Sequence, residues 1–492
     1  MMLDGADELA RAGYAWEIAD AAILHRSLNL ADLAHVLELL RIKAIPEQAG
    51  HALIVELLYL ADSPDHAVDY NPAFGEMYSS RERYFAGRIG DDAGWLHAGR
   101  TRREAMRIAY RIVVRRQVLE LITAAADLVE HVCIQGRSHV DTVMPDYTYL
   151  QPAQPTTFGH YILSMADPIL RDAGRLAREF AEINASPVGS GAASGSALLN
   201  DRVGPGHDLG FDGPIHHVRD AMWQSDPFTH ALLAATTLVI AQDKLAEDLE
   251  IFTSREFGFV SLGDGLVRPS VLMPQKRNPY ALTVIRGVAG IMIGRSTGQL
   301  SVAKSPSARS DLYIYAYGEV PRSLDLAIRA TELTSAVVRT LAVDVVAMKT
   351  ALEETFTEAA DIATFLMQHF HVDYRSAHTI VAAAVGDARA GARTLTPQDI
   401  ARAGLSVVGR SLEITDDALA QLTDPAQVAE SHDGLGGSAR ASMLAFADDR
   451  TTHAVELSDW AAQARSKLDL GESDVLRRAR ARIDHEESTE TS

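Results

Sequence analysis

The sequence predicts an all-α protein built around a long helical bundle, and three observations carry that expectation. Apolar residues recur at helical spacing over stretches well beyond an ordinary helix, as from Glu104 to about His131. Strand-like alternation is scarce. The stretch His230 to Phe257 is apolar on several faces, so it needs partners on each, which favours a bundle assembled from several chains.

Taken in order, residues 1–25 are mixed and read as helical. From Leu28 to Leu60 the apolar positions Leu33, Val36, Leu37, Leu40, Ile54, Leu57 and Leu58 mark two short helices, with Ile45-Pro46-Glu47 as the turn. Asp62 to Phe74 reads as a loop, and Ser79 to Gly99 as a polar, arginine-rich stretch. A long helix from Glu104 follows, then a loop from Met144 to Pro155 with three prolines and two glutamines. Phe158 to Ile183 gives a second long helix and His230 to Phe257 a third. The apolar run Ala281 to Ile293 opens a fourth, and Val320 to about Leu341 is a fifth. These readings divide the chain into an N-terminal helical domain (1–103), a central long-helix domain (104–355) with a polar loop at 262–280, a small C-terminal helical domain (356–465) and a charged tail (466–492). The end of that tail, from Glu486, reads as disordered.

The totals narrow the function classes. The chain has 492 residues, 47% hydrophobic and 23% charged, with a formal net charge of -20. So acidic a chain is a poor candidate for wrapping nucleic acid or lying on an anionic membrane. A single cysteine, Cys133, allows no intrachain disulfide and no thiolate metal cluster, which fits a reducing cytoplasm. Asp4, Glu8 and Asp20 interrupt any signal-peptide pattern, and no apolar run of about twenty residues predicts a membrane span.

Four stretches invite a chemical reading. Pro269-Ser270-Val271-Leu272-Met273-Pro274-Gln275-Lys276-Arg277-Asn278-Pro279 places a hydroxyl, an ammonium and a carboxamide on a proline-confined loop. It is either a rigid surface turn or a site for a small anion. Gly189-Ser190-Gly191-Ala192-Ala193-Ser194-Gly195 lacks the preceding strand and the spacing of a dinucleotide loop, and instead suits close backbone approach. Arg100, Arg102 and Arg103 lie just before a helix; their forks suit carboxylates, or else form a solvated basic cluster. The histidine pairs His216-His217 and His369-Phe370-His371 lack further ligands at metal-site spacing, and no nucleophile elbow supports a serine hydrolase.

Together these segments resemble the fumarase/aspartase superfamily, in its argininosuccinate lyase-like branch. The signature G-S-S-x-M-P-x-K-x-N-P is similar to Pro269–Pro279. T-G-R-S-R-N-D is similar to Ala98-Gly99-Arg100-Thr101-Arg102-Arg103-Glu104. G-Y-T-H-L-Q-x-A-Q-P is similar to Asp146-Tyr147-Thr148-Tyr149-Leu150-Gln151-Pro152-Ala153-Gln154-Pro155. S-P-L-G-A-G-A-L-A-G is similar to Ser186–Gly195, and S-Y-G-G-T-A to Gly434–Ala439. Order and spacing agree over roughly residues 20–465.

The resemblance implies a fold with a long central bundle forming a homotetramer core, flanked by smaller helical domains, with active sites shared between chains. It implies a carbon–nitrogen lyase that releases fumarate from an N-substituted aspartate, or runs in reverse, and it implies no metal or organic cofactor. Ser270 is then the base. Lys276 and Asn278 bind the carboxylate that carries the developing charge, and Thr101, Arg102, Thr148 and Gln151 hold the succinyl part. Four departures qualify this. The position of the family's general-acid histidine is Tyr149. The asparagine after the paired arginine is Arg103. A glycine and a serine of the signature are Pro269 and Val271. The branch pattern Y-N-x-D-x-Q is barely present in Ala308-Arg309-Ser310-Asp311-Leu312-Tyr313, so Arg309 and Tyr313 stand where the amine is read in the branch. The expectation is a substrate other than argininosuccinate. The alternatives are an argininosuccinate lyase with a variant acid and a catalytically silent structural or regulatory homologue.

Overall fold

The structure is a computed structural model that describes residues 7–306, 309, 311–353 and 355–490. The first six residues, Ala308 and Ser310 of the branch pattern, and the last two residues of the tail lie outside it.

After short helical turns between Asp7 and Ile18 come two antiparallel helices, α1 (Ala21–Arg41) and α2 (Glu47–Ala61), joined through Ile45 and Pro46 as the proline turn predicts. The polar, arginine-rich stretch, for which the sequence predicts no element, is largely helical: Met77–Ile89 is α3, followed by a 3-10 segment to His97. Its polar composition hid it, because Arg81 is fully buried against Asp32 at 2.7 Å, so charge here is interior rather than exposed.

The 37-residue α4 (Arg102–Ser138) is the axis of the molecule. Thr101 caps it by accepting the Glu104 N–H at 3.3 Å. The proline-rich stretch expected as a loop is a hairpin, β1 (Val143–Thr148) paired antiparallel with β2 (Gln151–Thr157). Then come α5 (Phe158–Leu163), α6 (Ala166–Ile183), α7 (Asp226–Phe252), α8 (Tyr280–Ala303) and α9 (Asp311–Thr340). The expected second long helix is thus two, broken at Ser164-Met165. α4 packs on α6 and α9, and α7 on α6, α8 and α9, giving the bundle its main core.

The helices α10 (Ala359–Phe370), α11 (Tyr374–Ala390) and α12 (Pro397–Val408) enclose an apolar cluster of their own, from Ile362 to Leu419. Two short helices, α13 (Asp416–Leu422) and α14 (Pro425–Ser431), lead back to the hairpin.

The last helix, α15 (Arg440–Glu490), runs unbroken through position 465/466, where composition suggested a change from domain to tail. Ala447, Ala454, Ala461, Leu468 and Val475 are buried at seven-residue intervals along it. That stripe packs first on the bundle and then, through Val475 and Ala479, on the cluster formed by α1 and α2. Glu472, 2% exposed, fastens it: Arg26 reaches it at 3.0 Å and Arg116 at 2.8 Å.

No helix among the described residues is long and apolar enough to cross a membrane.

Candidate active site

The polar loop is held at its neck by a two-residue antiparallel ladder in which Arg268 pairs with Asn278 and Pro269 with Arg277. The Asn278 amide donates to the Arg268 carbonyl at 3.0 Å, and Arg277 forms an ion pair with Asp264. Inside this neck the Ser270 N–H donates to the Lys276 carbonyl at 3.1 Å. The Met273 N–H donates to Ser270 Oγ at 3.0 Å. That last contact matters chemically: a donor aimed at a serine oxygen favours its deprotonated form. Val271 and Leu272 at the tip are 106% and 87% exposed, and Lys276 also lies in the open.

The second segment is the tip of the hairpin. Thr148 and Gln151 face each other as the last pair of the ladder, and Tyr149 and Leu150 form the turn between them. Both turn residues are left-handed, with φ of 56° and 58°, the pattern of a type I′ turn made without glycine. Each residue so placed costs on the order of 1–2 kcal/mol. The turn throws Tyr149 outward, 98% exposed. Below it, His160 is committed to structure, with Nδ1 at 2.8 Å from Thr156 Oγ1 and Nε2 at 3.2 Å from the Gly436 carbonyl.

The third segment is the start of α4. The Thr101 hydroxyl donates to the Gly191 carbonyl at 3.2 Å. Glu104, fully buried, accepts the Gly189 and Gly191 N–H groups at 2.7 Å each. The glycine-rich stretch is therefore a loop laid on the helix start, with φ of 74° and 60° at those two glycines. Burial pushes the Glu104 carboxyl up to about 7, against the lowering pull of Arg100 and the two N–H groups.

Arg102 makes a fork with Glu82, both contacts at 2.5 Å, and Arg103 lies 3.7 Å from Glu76. The partners Glu76 and Glu82 were not legible as such, because nothing in their spacing ties them to the arginines. Arg100 is an interior residue, bonded to Asp32 and Tyr78.

Of the two residues expected on the amine side, Arg309 is exposed. Tyr313 is not: it is 1% exposed, donates to the Gln224 carbonyl at 2.6 Å, and lies under the Arg107 guanidinium, 3.1 Å from its ring centre. It is a bundle residue with its hydroxyl already engaged, and any contact with substrate would require that bond to break.

Within one chain, no hydrogen bond or ion pair between described residues joins any two of the three segments. The loop and the hairpin tip carry exposed polar groups on well-anchored bases, while Thr101, Arg102 and Arg103 at the start of α4 are half-buried. Among the described residues, no group of three or more His, Cys, Asp or Glu side chains is placed to hold a metal ion.

Comparison with known proteins gives a consistent picture. A family model described as Lyase matches residues 72–294. The argininosuccinate lyase of Methanoculleus marisnigri is 29% identical over 444 residues, 89% of each chain. That of Halobacterium salinarum is 30% identical over 421 residues, 85% of each chain. A solved EDDS lyase variant with bound fumarate superposes with a TM-score of 0.86 at 24% identity, covering 97% of this chain and 99% of that one. The class II fumarase of Schistosoma mansoni superposes with a TM-score of 0.69 at 13% identity, covering 87% and 94%.

Proposed function

The chain belongs to the argininosuccinate lyase-like branch of the fumarase/aspartase superfamily, and from that premise we propose a carbon–nitrogen lyase that eliminates an amine from an N-substituted aspartate other than argininosuccinate, giving fumarate, or adds the amine in reverse.

The observation that carries this reading is the loop neck. Ser270, Lys276 and Asn278 occupy the signature positions, and Ser270 Oγ already accepts an N–H from within its own loop. In the elimination, the Ser270 oxygen takes a proton from the carbon beside a succinyl carboxylate. Lys276 and Asn278 hold that carboxylate as charge gathers on it, which is where fixed positive charge and donors are most effective. The electron pair then forms the double bond and expels the nitrogen, which takes a proton from the Tyr149 hydroxyl. Thr101, Arg102, Thr148 and Gln151 position the succinyl part, and Arg103 and Arg309 face the amine. The tyrosine in place of a histidine, and the altered amine side, favour a substrate other than argininosuccinate.

The reading includes a homotetramer with sites shared between chains, in a cytoplasmic setting. It is supported by the face of α8, where Gly287, Gly290 and Gly294 have no neighbour within 4 Å of where a Cβ would stand. Ile291 on the same face is about half exposed, at 48%. A helix face so bare and apolar suits close packing against copies of itself.

The test is release of fumarate, followed by its ultraviolet absorbance, across a panel of N-substituted aspartates. At least one is expected to react, and Ser270→Ala should lower kcat by about a hundredfold or more. Cleavage of argininosuccinate at an ordinary enzymatic rate would replace this reading with an argininosuccinate lyase using a variant acid. No fumarate from any member of the panel, with no binding of dicarboxylates, would point to a silent homologue.

A further inference from the structure

Three buried arginines line one stripe of α4 at four-residue spacing: Arg107, Arg111 and Arg115, each 2% exposed or less. The fold provides acceptors for two of them. Arg111 donates to the carbonyls of Glu182 and Ile183 at 2.8 and 2.9 Å and to the Gln224 side chain. Arg115 donates to Asn184 Oδ1 at 3.0 Å and to the Leu209 carbonyl at 2.6 Å, with Glu472 3.8 Å away. Arg107 differs. Its Nε is satisfied by the Met222 carbonyl at 3.0 Å and its plane lies against the Tyr313 ring, but Nη1 and Nη2 are buried without a hydrogen-bond partner.

The neighbours of that head are also short of acceptors. Trp223 and Tyr317 present their rings 5.5 and 5.2 Å from the guanidinium carbon. The Trp223 indole nitrogen and the Tyr317 hydroxyl are both buried and unpartnered, as is the hydroxyl of Tyr110, whose ring centre lies 5.3 Å from that of Tyr317. Two carboxylates act on Arg107 through space without an ion pair to it: Glu17, and Glu76, which is 3.7 Å from Arg102 and from Arg103. Burial without a close counter-charge pulls the Arg107 guanidinium down to about 10.

The balance of donors decides what would fill such a place. The two Nη atoms carry four N–H groups, and an indole only donates. A water molecule brings two hydrogens of its own that need acceptors, and only the tyrosine oxygens could serve. An anion only accepts, and it also supplies the missing charge. We propose that the Arg107 head, with the Trp223 N–H and the Tyr317 hydroxyl, forms an internal binding site for a small monovalent anion, a carboxylate or a halide. Arg103 lies one helical turn earlier on the same stripe, at the start of α4, so the anion is either a carboxylate borne by the leaving amine or a free ion resident in the bundle.

The experiment uses the full-length protein and sodium bromide or sodium formate, with sodium sulfate at matched ionic strength as reference. Bromide and formate should raise the melting temperature saturably above the sulfate curve. Bromide-soaked crystals should show an anomalous peak within hydrogen-bonding reach of Arg107 Nη1 or Nη2. Arg107→Met should abolish the response. Trp223→Phe and Tyr317→Phe keep the arginine, and so carry the test if that variant fails to fold. Each should weaken the apparent bromide affinity by about tenfold, as expected for loss of one hydrogen bond to a charged group. Melting that follows ionic strength alone, with no bromide at Arg107, would overturn the proposal. Bromide that competes with the amine in fumarate consumption identifies the substrate's carboxylate as the occupant; bromide that binds without altering rates identifies a resident ion. Both support an anion site. The melting and diffraction arms need no turnover, so they stand whether or not the lyase assignment does.

Discussion

At Tyr149 the chemistry turns on one hydroxyl. A tyrosine hydroxyl is a neutral donor, so unlike an imidazolium it gives a proton without first being charged. Tyr149→Phe should therefore lower kcat by about a hundredfold for a substrate whose amine is a poor leaving group, and far less for a good one. Steady-state kinetics on two substrates of different amine basicity separate these cases, and equal losses on both would assign Tyr149 a positioning role. Glu104 gives a second prediction at this scale. Burial raises its carboxyl from an ordinary 4.5 to about 7. A raised carboxyl makes its full contribution to stability below pH 4.5, and that contribution is lost as pH rises through 7. The two N–H bonds from Gly189 and Gly191, by contrast, are best accepted by the ionised form. Thermal unfolding across pH 4.5–8 should show Glu104→Gln flattening the stability curve. The loop that Thr101 touches should meanwhile tighten as pH rises in the wild type, which hydrogen exchange at Gly189 and Gly191 would report.

Among the elements, α15 depends on one carboxylate. Glu472 meets Arg26, Arg115 and Arg116, and its loss would leave the buried Arg115 without an ion-pair partner, with Asp212 acting on it only through space. Breaking a buried pair from one side costs about 3–5 kcal/mol, less where a partner keeps its hydration. Arg26 is 60% exposed and Arg116 28% exposed, so Glu472→Ala should cost about 2 kcal/mol, measurable by urea unfolding. The same helix shows where sequence reading succeeds and fails. The helices of the bundle were legible because each shows a long apolar face, and the Pro46 turn because proline fixes it. The hairpin was not, since Pro145, Pro152 and Pro155 read as loop and its turn uses Tyr149-Leu150 instead of a glycine pair. α3 was not, because burial of Arg81 depends on Asp32, 49 positions away. In α15 the stripe Ala447, Ala454, Ala461, Leu468 and Val475 was present to be read, but the charges after position 466 suggested that its second half was a charged tail. Of the site, Ser270, Lys276 and Asn278 were legible through their resemblance to a signature, whereas the unpartnered Arg107 follows from three-dimensional neighbours that no spacing announces.

For the whole molecule, three segments that no hydrogen bond or ion pair between described residues joins make sense if other copies complete the site. Ser270→Ala and Lys276→Ala lie in one loop and should not rescue each other on mixing. Ser270→Ala with Tyr149→Phe should regain activity after subunit exchange, up to about a quarter of wild type if each site draws its loop and its hairpin from different chains at random. No recovery, with exchange verified by native mass spectrometry, would place both residues in one chain's site.

The path of α15 also fixes the order of events during synthesis. α1 and α2 leave the ribosome early, yet Val475 and Ala479 belong to the same apolar cluster as Leu30, Leu33, Leu53 and Leu57. That cluster stays open on one side until Val475 and Ala479 have been translated. The N-terminal helices must wait in a partly solvated state, with apolar side chains available to chaperones. The molecule closes like a belt rather than a string of beads, a late-made helix drawing an earlier-made pair onto the bundle.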